Sequence, residues 1–222
     1  IQYLDFSHQI LIAEMGARYE GDIKELCDLV QPQYGILTSV GEQHLQSFGT
    51  LEKITQTKYE LVESLPENGV IIFNGQNDIC QRLYNKTNNI SKIICGFDER
   101  FNVYADSIKT NKNGTHFVLH IGDEKIECTT MLLGEHNIEN ILCASALANK
   151  LGMTIDEIRN GISKLQPIEH RLQLINLQNG STILDDSYNG SIDGAKRALQ
   201  VLKMFDGEKI VVTPGLVELG SK

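Results

Sequence analysis

The stretch Tyr34 to Leu65, YGILTSVGEQHLQSFGTLEKITQTKYELVESL, constrains the fold most, because a buried-type strand, a polar loop and an amphipathic helix follow one another without spacer. That order predicts one unit of an open α/β sheet, in which ligands bind beyond the carboxyl ends of the strands. His44 falls in such a loop, just after the apolar run Tyr34 to Val40. On the helix, Leu51, Ile54, Leu61, Val62 and Leu65 lie within roughly a 100° arc, and Lys58 lands near its middle, where a lysine does not belong. Two readings fit. Either the stem covers apolar surface and sends its ammonium out at the helix end, or burial lowers the amine's pKa so that it can act or be modified.

The 222 residues suffice for one large domain or one and a part, and the 41% hydrophobic and 22% charged composition is that of an ordinary globular protein. A net charge of -9 argues against a general nucleic-acid binder, which meets phosphate backbones with clustered Lys and Arg, but leaves room for a local nucleotide site. No apolar run approaches the roughly 20 residues of a membrane span, and no basic-then-apolar segment opens the chain, so the setting expected is cytoplasmic, with no membrane partner. Cys27, Cys80, Cys95, Cys128 and Cys143 are odd in number, widely spaced and mostly inside apolar runs, which makes them reduced core residues.

Along the chain, Ile10 to Met15 reads as a buried strand, so the sequence is expected to open inside a domain. Glu14 ends that strand, as a rim carboxylate or a ligand. A helix is expected over Gly21 to Val30, stopped by Pro32. Strands follow at Val70 to Phe73 and Lys92 to Cys95, with a short helix around Asp78 to Tyr84 between them; strands alternating with helices predict a doubly wound, mostly parallel sheet. From Phe101 to Thr130 the pattern turns antiparallel, with Val103 to Ile108, Thr115 to Ile121 and Lys125 to Thr130 joined at Asn113-Gly114 and Gly122-Asp123, which predicts a small β insertion. Gly134 to Leu151 is a long helix with an alanine-rich face, ended by Gly152; Asn137 and Asn140 share one face at its start, where asparagine is most often a cap. Thr154 and Glu157 form a capping box. After Pro167 to Arg171, read as the domain junction, a hairpin turns at Asn179-Gly180 and leads into Asp185-Asp186-Ser187-Tyr188-Asn189. A last strand, Lys209 to Thr213, precedes Pro214-Gly215 and a G-x-x-x-x-G pattern whose closing order, Ser then Lys, is reversed from that of a phosphate loop.

Taken together these segments resemble the ATP-dependent Mur ligases, the amide-forming enzymes of peptidoglycan precursor synthesis. The points of likeness are AEMGARYEGDI around Glu14; His44-Leu45, Ser47-Phe48-Gly49, Lys58 and Glu60; GEHNIEN; PIEHR; DDSYN; and T-P-G with V-E-L-G. The chain is most similar to the members that join D-alanyl-D-alanine to UDP-N-acetylmuramoyl-tripeptide through an acyl phosphate, which implies those two substrates, ATP and Mg2+. The resemblance implies that Glu14, His44 and a carbamylated Lys58 hold magnesium, that Asn137 and Asn140 meet adenine, and that Arg171 reaches the ATP phosphates. It places Asp186 on the ribose, with Asn189 also on the cofactor, and counts Lys58, His44 and Arg171 as catalytic. It also implies a central ATP-binding domain over 1–168, N-terminally truncated and carrying the β insertion at about 101–130, and the first part of a Rossmann-like C-terminal domain over 169–222. A glycine-rich phosphate loop with its lysine is expected before Ile1, since none occurs in the sequence. One departure is plain: after Asn189 the family commonly continues Ala-Asn-Pro, and this chain has Gly190, Ser191 and Ile192. The alternatives are a sibling Mur or folylpolyglutamate-type ligase, against which the SFG after His44-Leu45 argues, and a non-catalytic nucleotide-binding module of the same fold.

Overall fold

The computed structural model describes residues 4–42, 45–188 and 192–213. Its elements run α1 (Asp22–Val30), β1 (Tyr34–Leu37), α2 (Leu45–Phe48), α3 (Leu51–Glu63), β2 (Val70–Asn74), α4 (Asp78–Lys86), β3 (Ser91–Gly96), β4 (Val103–Asn111), β5 (Gly114–Ile121), β6 (Glu124–Thr130), α5 (Glu135–Lys150), α6 (Ile155–Ser163), β7 (Gln173–Asn176), β8 (Thr182–Asp185) and α7 (Ile192–Lys203).

β1 to β6 lie side by side in chain order in one sheet, and β7 pairs with β8 in a second. β1, β2, β3 and β4 are parallel neighbours, while β4, β5 and β6 are antiparallel. The expected antiparallel unit is therefore present, and it extends the main sheet through Cys95 opposite Val103 and Gly96 opposite Tyr104.

β2 shows why the sheet needs helices on both sides. All five of its residues are buried, and since successive side chains point to opposite faces, Ile72 packs with the core under α5 and α6 while Ile71 and Phe73 pack with the core under α3 and α4. The helix starts follow their capping residues. Thr50 accepts from the Lys53 amide, Asn77 accepts from the Cys80 amide, and Thr154 and Glu157 make both bonds of the capping box. All five cysteines are buried free thiols, as expected. Among the described residues no helix is long and apolar enough to cross a membrane.

Three expectations are corrected. Ile10 to Met15 is not a strand, so Glu14 stands on irregular, exposed backbone instead of closing a buried one, and Ile12 is 89% exposed. Lys209 to Thr213 is likewise not a strand, and Val212 is 93% exposed. An apolar run becomes a strand only where a neighbour completes its backbone N–H and C=O groups; among the described residues neither run pairs with one. Conversely, α7 follows the DDSYN segment where no helix was expected, on the 3–4 spacing of Ala195, Ala198, Leu199 and Leu202.

Candidate active site

The residues after β1 are pinned one by one. Lys58 comes from α3, whose buried Ile54, Thr57 and Val62 turn that helix onto the sheet and carry the half-buried lysine with them. Its Nζ donates to the Ser39 carbonyl at 2.9 Å, so the amine does not run out to solvent at the helix end. Burial pushes its pKa down, with the Cys80 thiol opposing in small part. Asn74, at the carboxyl end of β2, donates to the Thr38 carbonyl at 2.9 Å, and Asn77 donates to the Val40 carbonyl at 3.0 Å. Three side chains from α3, β2 and the start of α4 thus hold three successive backbone positions at the end of β1. The tight turn after β2 requires glycine at 75, because a Cβ there would stand 2.4 Å from the Phe101 ring.

Glu60, two residues beyond Lys58, accepts from the Gly21 amide and from the Lys24 amide, each at 2.9 Å. It supplies the cap that α1 lacks locally, since Gly21 has no side chain to do so. Glu14 precedes α1 in the same connection, where its carboxylate is exposed. His44 lies outside the described residues. Among those described, no three His, Cys, Asp or Glu side chains gather as a metal site.

On the other face, α5 starts at Gly134 (φ 87°), whose missing Cβ leaves room for the His136 ring. Asn137 is half-buried and donates to the Leu133 carbonyl at 2.8 Å, while Asn140 is exposed. Burial, aided by the Arg197 charge, pushes the His136 imidazole down to about 4. Between the two asparagines sits Glu139, buried, accepting from Asn74 Nδ2 at 2.8 Å and facing Arg197 of α7 at 3.4 Å.

The PIEHR and DDSYN segments close on each other. His170 meets Asp185 at 2.8 Å, and the Tyr188 amide donates to the His170 carbonyl. The Leu172 amide donates to Asp186 at 3.2 Å, and the exposed Arg171 guanidinium lies 4.3 Å from the Tyr188 ring centroid. Burial pushes the Asp186 carboxyl up, against the lowering pull of the Leu172 amide and Arg171. The hydrogen bond to Asp185 pushes the His170 imidazole up. Asn189 lies outside the described residues, as do residues 214–222 with their T-P-G and V-E-L-G continuation.

Arg171 and Asp186 are thus brought together, Asn137 and Asn140 share the first turns of α5, and Lys58 is set at the end of β1. Two clefts, of about 450 and 470 Å³, open along α7, and its Arg197 and Gln200 line both. The first is also lined by Val40, Gln76 and Asn77 at the ends of β1 and β2, the second by Gly134, His136 and Glu139 at the start of α5. Sequence reasoning missed Asn74, and it missed Glu139, whose signal was available: a charge on the apolar face of α5, the same anomaly that marks Lys58. It missed Arg197 because it missed α7.

Residues 2–148 match the Mur ligase middle domain. A UDP-N-acetylmuramoyl-tripeptide–D-alanyl-D-alanine ligase of Buchnera aphidicola subsp. Baizongia pistaciae is 31% identical over 219 residues, 98% of this chain and 47% of that protein. A crystal structure of MurF from Acinetobacter baumannii superposes with a TM-score of 0.91 at 28% identity, over 98% of this chain and 47% of that one. MurF ligase from Thermotoga maritima, solved in complex with ADP, shares the fold at a TM-score of 0.82 and 24% identity, over 93% of this chain and 47% of that one. The chain spans about half the length of the curated relatives it matches. With two thirds of its residues inside the family domain and the fold extending over nearly all of the rest, the chain belongs to the Mur ligase family.

Proposed function

We propose that this chain is the nucleotide-binding core and the opening of the following domain, divided near residue 168, of a cytoplasmic ligase that joins D-alanyl-D-alanine to UDP-N-acetylmuramoyl-tripeptide with ATP. The observation that carries the reading is the seat of Lys58, half-buried and turned onto the Ser39 carbonyl at the carboxyl end of β1. Open α/β sheets bind ligands there.

In this reading the tripeptide carboxylate attacks the γ-phosphorus of ATP, the bond to the β-phosphate oxygen breaks, and ADP leaves. The dipeptide amine then attacks the acyl phosphate and expels inorganic phosphate, losing a proton as the amide forms. Asn137 and Asn140 take the adenine, Asp186 the ribose, with Asn189 also on the cofactor, and Arg171, held in place against Tyr188, the phosphates. Glu14, His44 and Lys58 as a carbamate would hold Mg2+, which when bound supplies charge neutralisation of phosphate and carboxylate. Lys58 suits that use: burial raises the share of neutral amine, the form that adds to carbon dioxide and loses a proton to give an anionic oxygen donor suited to a hard cation.

The test uses an enzyme of the relatives' length carrying this segment. Lys58→Ala lowers ligation at least ~100-fold; bicarbonate does not restore it, and acetate, which fits the space of the carbamate, restores part of it. Lys58→Arg fails as well, since guanidinium keeps its charge and is not carbamylated. Near-normal rates for the arginine variant would sink the carbamate. Turnover with a different amino acid in place of D-alanyl-D-alanine would move the enzyme to a sibling specificity.

A further inference from the structure

Of the buried polar residues described, Glu139 alone carries a charge, at 8% exposure. A carboxylate so placed is stable only when its oxygens are paired. Glu139 divides them between two parts of the molecule. Oε2 accepts from Asn74 Nδ2 at 2.8 Å, at the end of β2, and Oε1 faces the Arg197 guanidinium at 3.4 Å, on α7. The same Asn74 nitrogen also donates to the Thr38 carbonyl, and the next residue, Ser39, takes the Lys58 amine. A chain of polar contacts therefore runs from α7 through α5 and β2 to the end of β1.

α7 belongs to the lobe that carries Arg171 and Asp186, because Val201 packs with Leu172, Leu174 and Leu184. Its apolar hold on the rest of the molecule includes Leu133, just before α5. That contact can seat the helix but cannot report its position to β1. A buried charge shared between Arg197 and Asn74 can, because moving the guanidinium away leaves the carboxylate half-paired and weakens its grip on Asn74. The other groups lining the cleft beside it, Glu135, His136 and Gln200, do not offer Glu139 a second cation; His136 is held neutral by burial and by Arg197 itself.

We infer that Glu139 is a positioning residue: through Arg197 it seats α7 on the first turns of α5, and through Asn74 it sets the Thr38 and Ser39 backbone on which Lys58 rests. Its consequence for catalysis, alignment of the nucleotide and lysine sides of the site by one contact, rests on the proposed ligase reading. The contact itself does not.

The deciding experiment is amide hydrogen exchange on the 222-residue chain, which needs no substrate, so an error in the assigned activity leaves it intact. Arg197 is an exposed-side partner, and Arg197→Gln removes the cation without touching the core. Exchange should quicken by roughly tenfold in two separated places, α7 and residues 38–40, while β2 keeps its protection. Glu139→Gln should loosen the same two places, the double variant should go no further than the larger single one because both break one contact, and Arg197→Lys should stay near the parent. If Glu139→Gln unfolds the chain, Arg197→Gln still decides. Loosening of α7 with residues 38–40 unchanged would reduce Glu139 to a local anchor and overturn the coupling. No change in either place would show that Val201 and its apolar neighbours hold the helix alone, and overturn the inference entirely.

Discussion

The six-stranded sheet and the β7–β8 hairpin hold the proposed site residues by different means. The large sheet is covered on both faces, with Ile72 in one core and Ile71 and Phe73 in the other, so Lys58 arrives at its seat on a helix fixed by packing. Among the described residues the hairpin has a thin core whose buried members are Leu133, Leu172 and Val201, and Leu133 comes from outside the hairpin and α7. Arg171 and Asp186 are held there by polar closures: His170 on Asp185, the Leu172 amide on Asp186, the Tyr188 ring against Arg171. Packing positions a group by shape and survives changes of pH. Polar closures position it by charge, and give way when a partner titrates or is removed.

That contrast can be broken most directly by truncating one apolar residue on each side and measuring urea unfolding. Phe73→Ala, at a fully buried ring set edge-on to Tyr84, should cost about 3–5 kcal/mol. Leu184→Ala, half-buried in the hairpin, should cost about 1 kcal/mol and loosen only its own lobe. Equal losses would mean that the hairpin is as tightly packed as the sheet.

A pH series sharpens the contrast where the two parts meet. The folded chain holds the His136 imidazole down to about 4, through burial first and the Arg197 charge second. Because the folded value lies below the unfolded one, this histidine's contribution to stability is complete above about pH 6.5 and is lost as pH falls from there toward 4, up to roughly 3 kcal/mol in all. NMR titration should show a depressed His136 that rises in Arg197→Gln. An ordinary value near 6.5 in the parent would place the ring in water and remove α7 from its surroundings.

The smallest effect lies within the large lobe. Glu60→Ala removes the acceptor of the Gly21 and Lys24 amides and should cost about 1 kcal/mol, felt as faster exchange at the start of α1 with β1 and β2 unchanged. Loss spread evenly over the lobe would show that Glu60 holds more than one helix end.

Much of this was legible in the chain itself. The spacing of Ile54, Lys58, Leu61 and Val62 showed both the helix and its anomaly, and Asn179-Gly180 and Thr154 with Glu157 marked their turn and cap, because each is set by residues only a few positions apart. The same local logic went wrong at Ile10 to Met15 and at Lys209 to Thr213. Both runs are mostly apolar, but hydrophobicity says only that a segment gains by burial, and whether a neighbouring strand is there to bury it is not written in the segment.

The sequence by itself therefore determined the helices, turns and parallel-to-antiparallel change of the large sheet, and the oddity of one lysine, since those depend on contacts a few residues apart. Only the tertiary structure decided which charges meet. Glu139 lies 65 residues from Asn74 and 58 from Arg197, separations at which no periodicity links the partners. A buried carboxylate finds its counter-charge only once the sheet, α5 and α7 have been brought together by their apolar faces, and it then fixes where those faces stop.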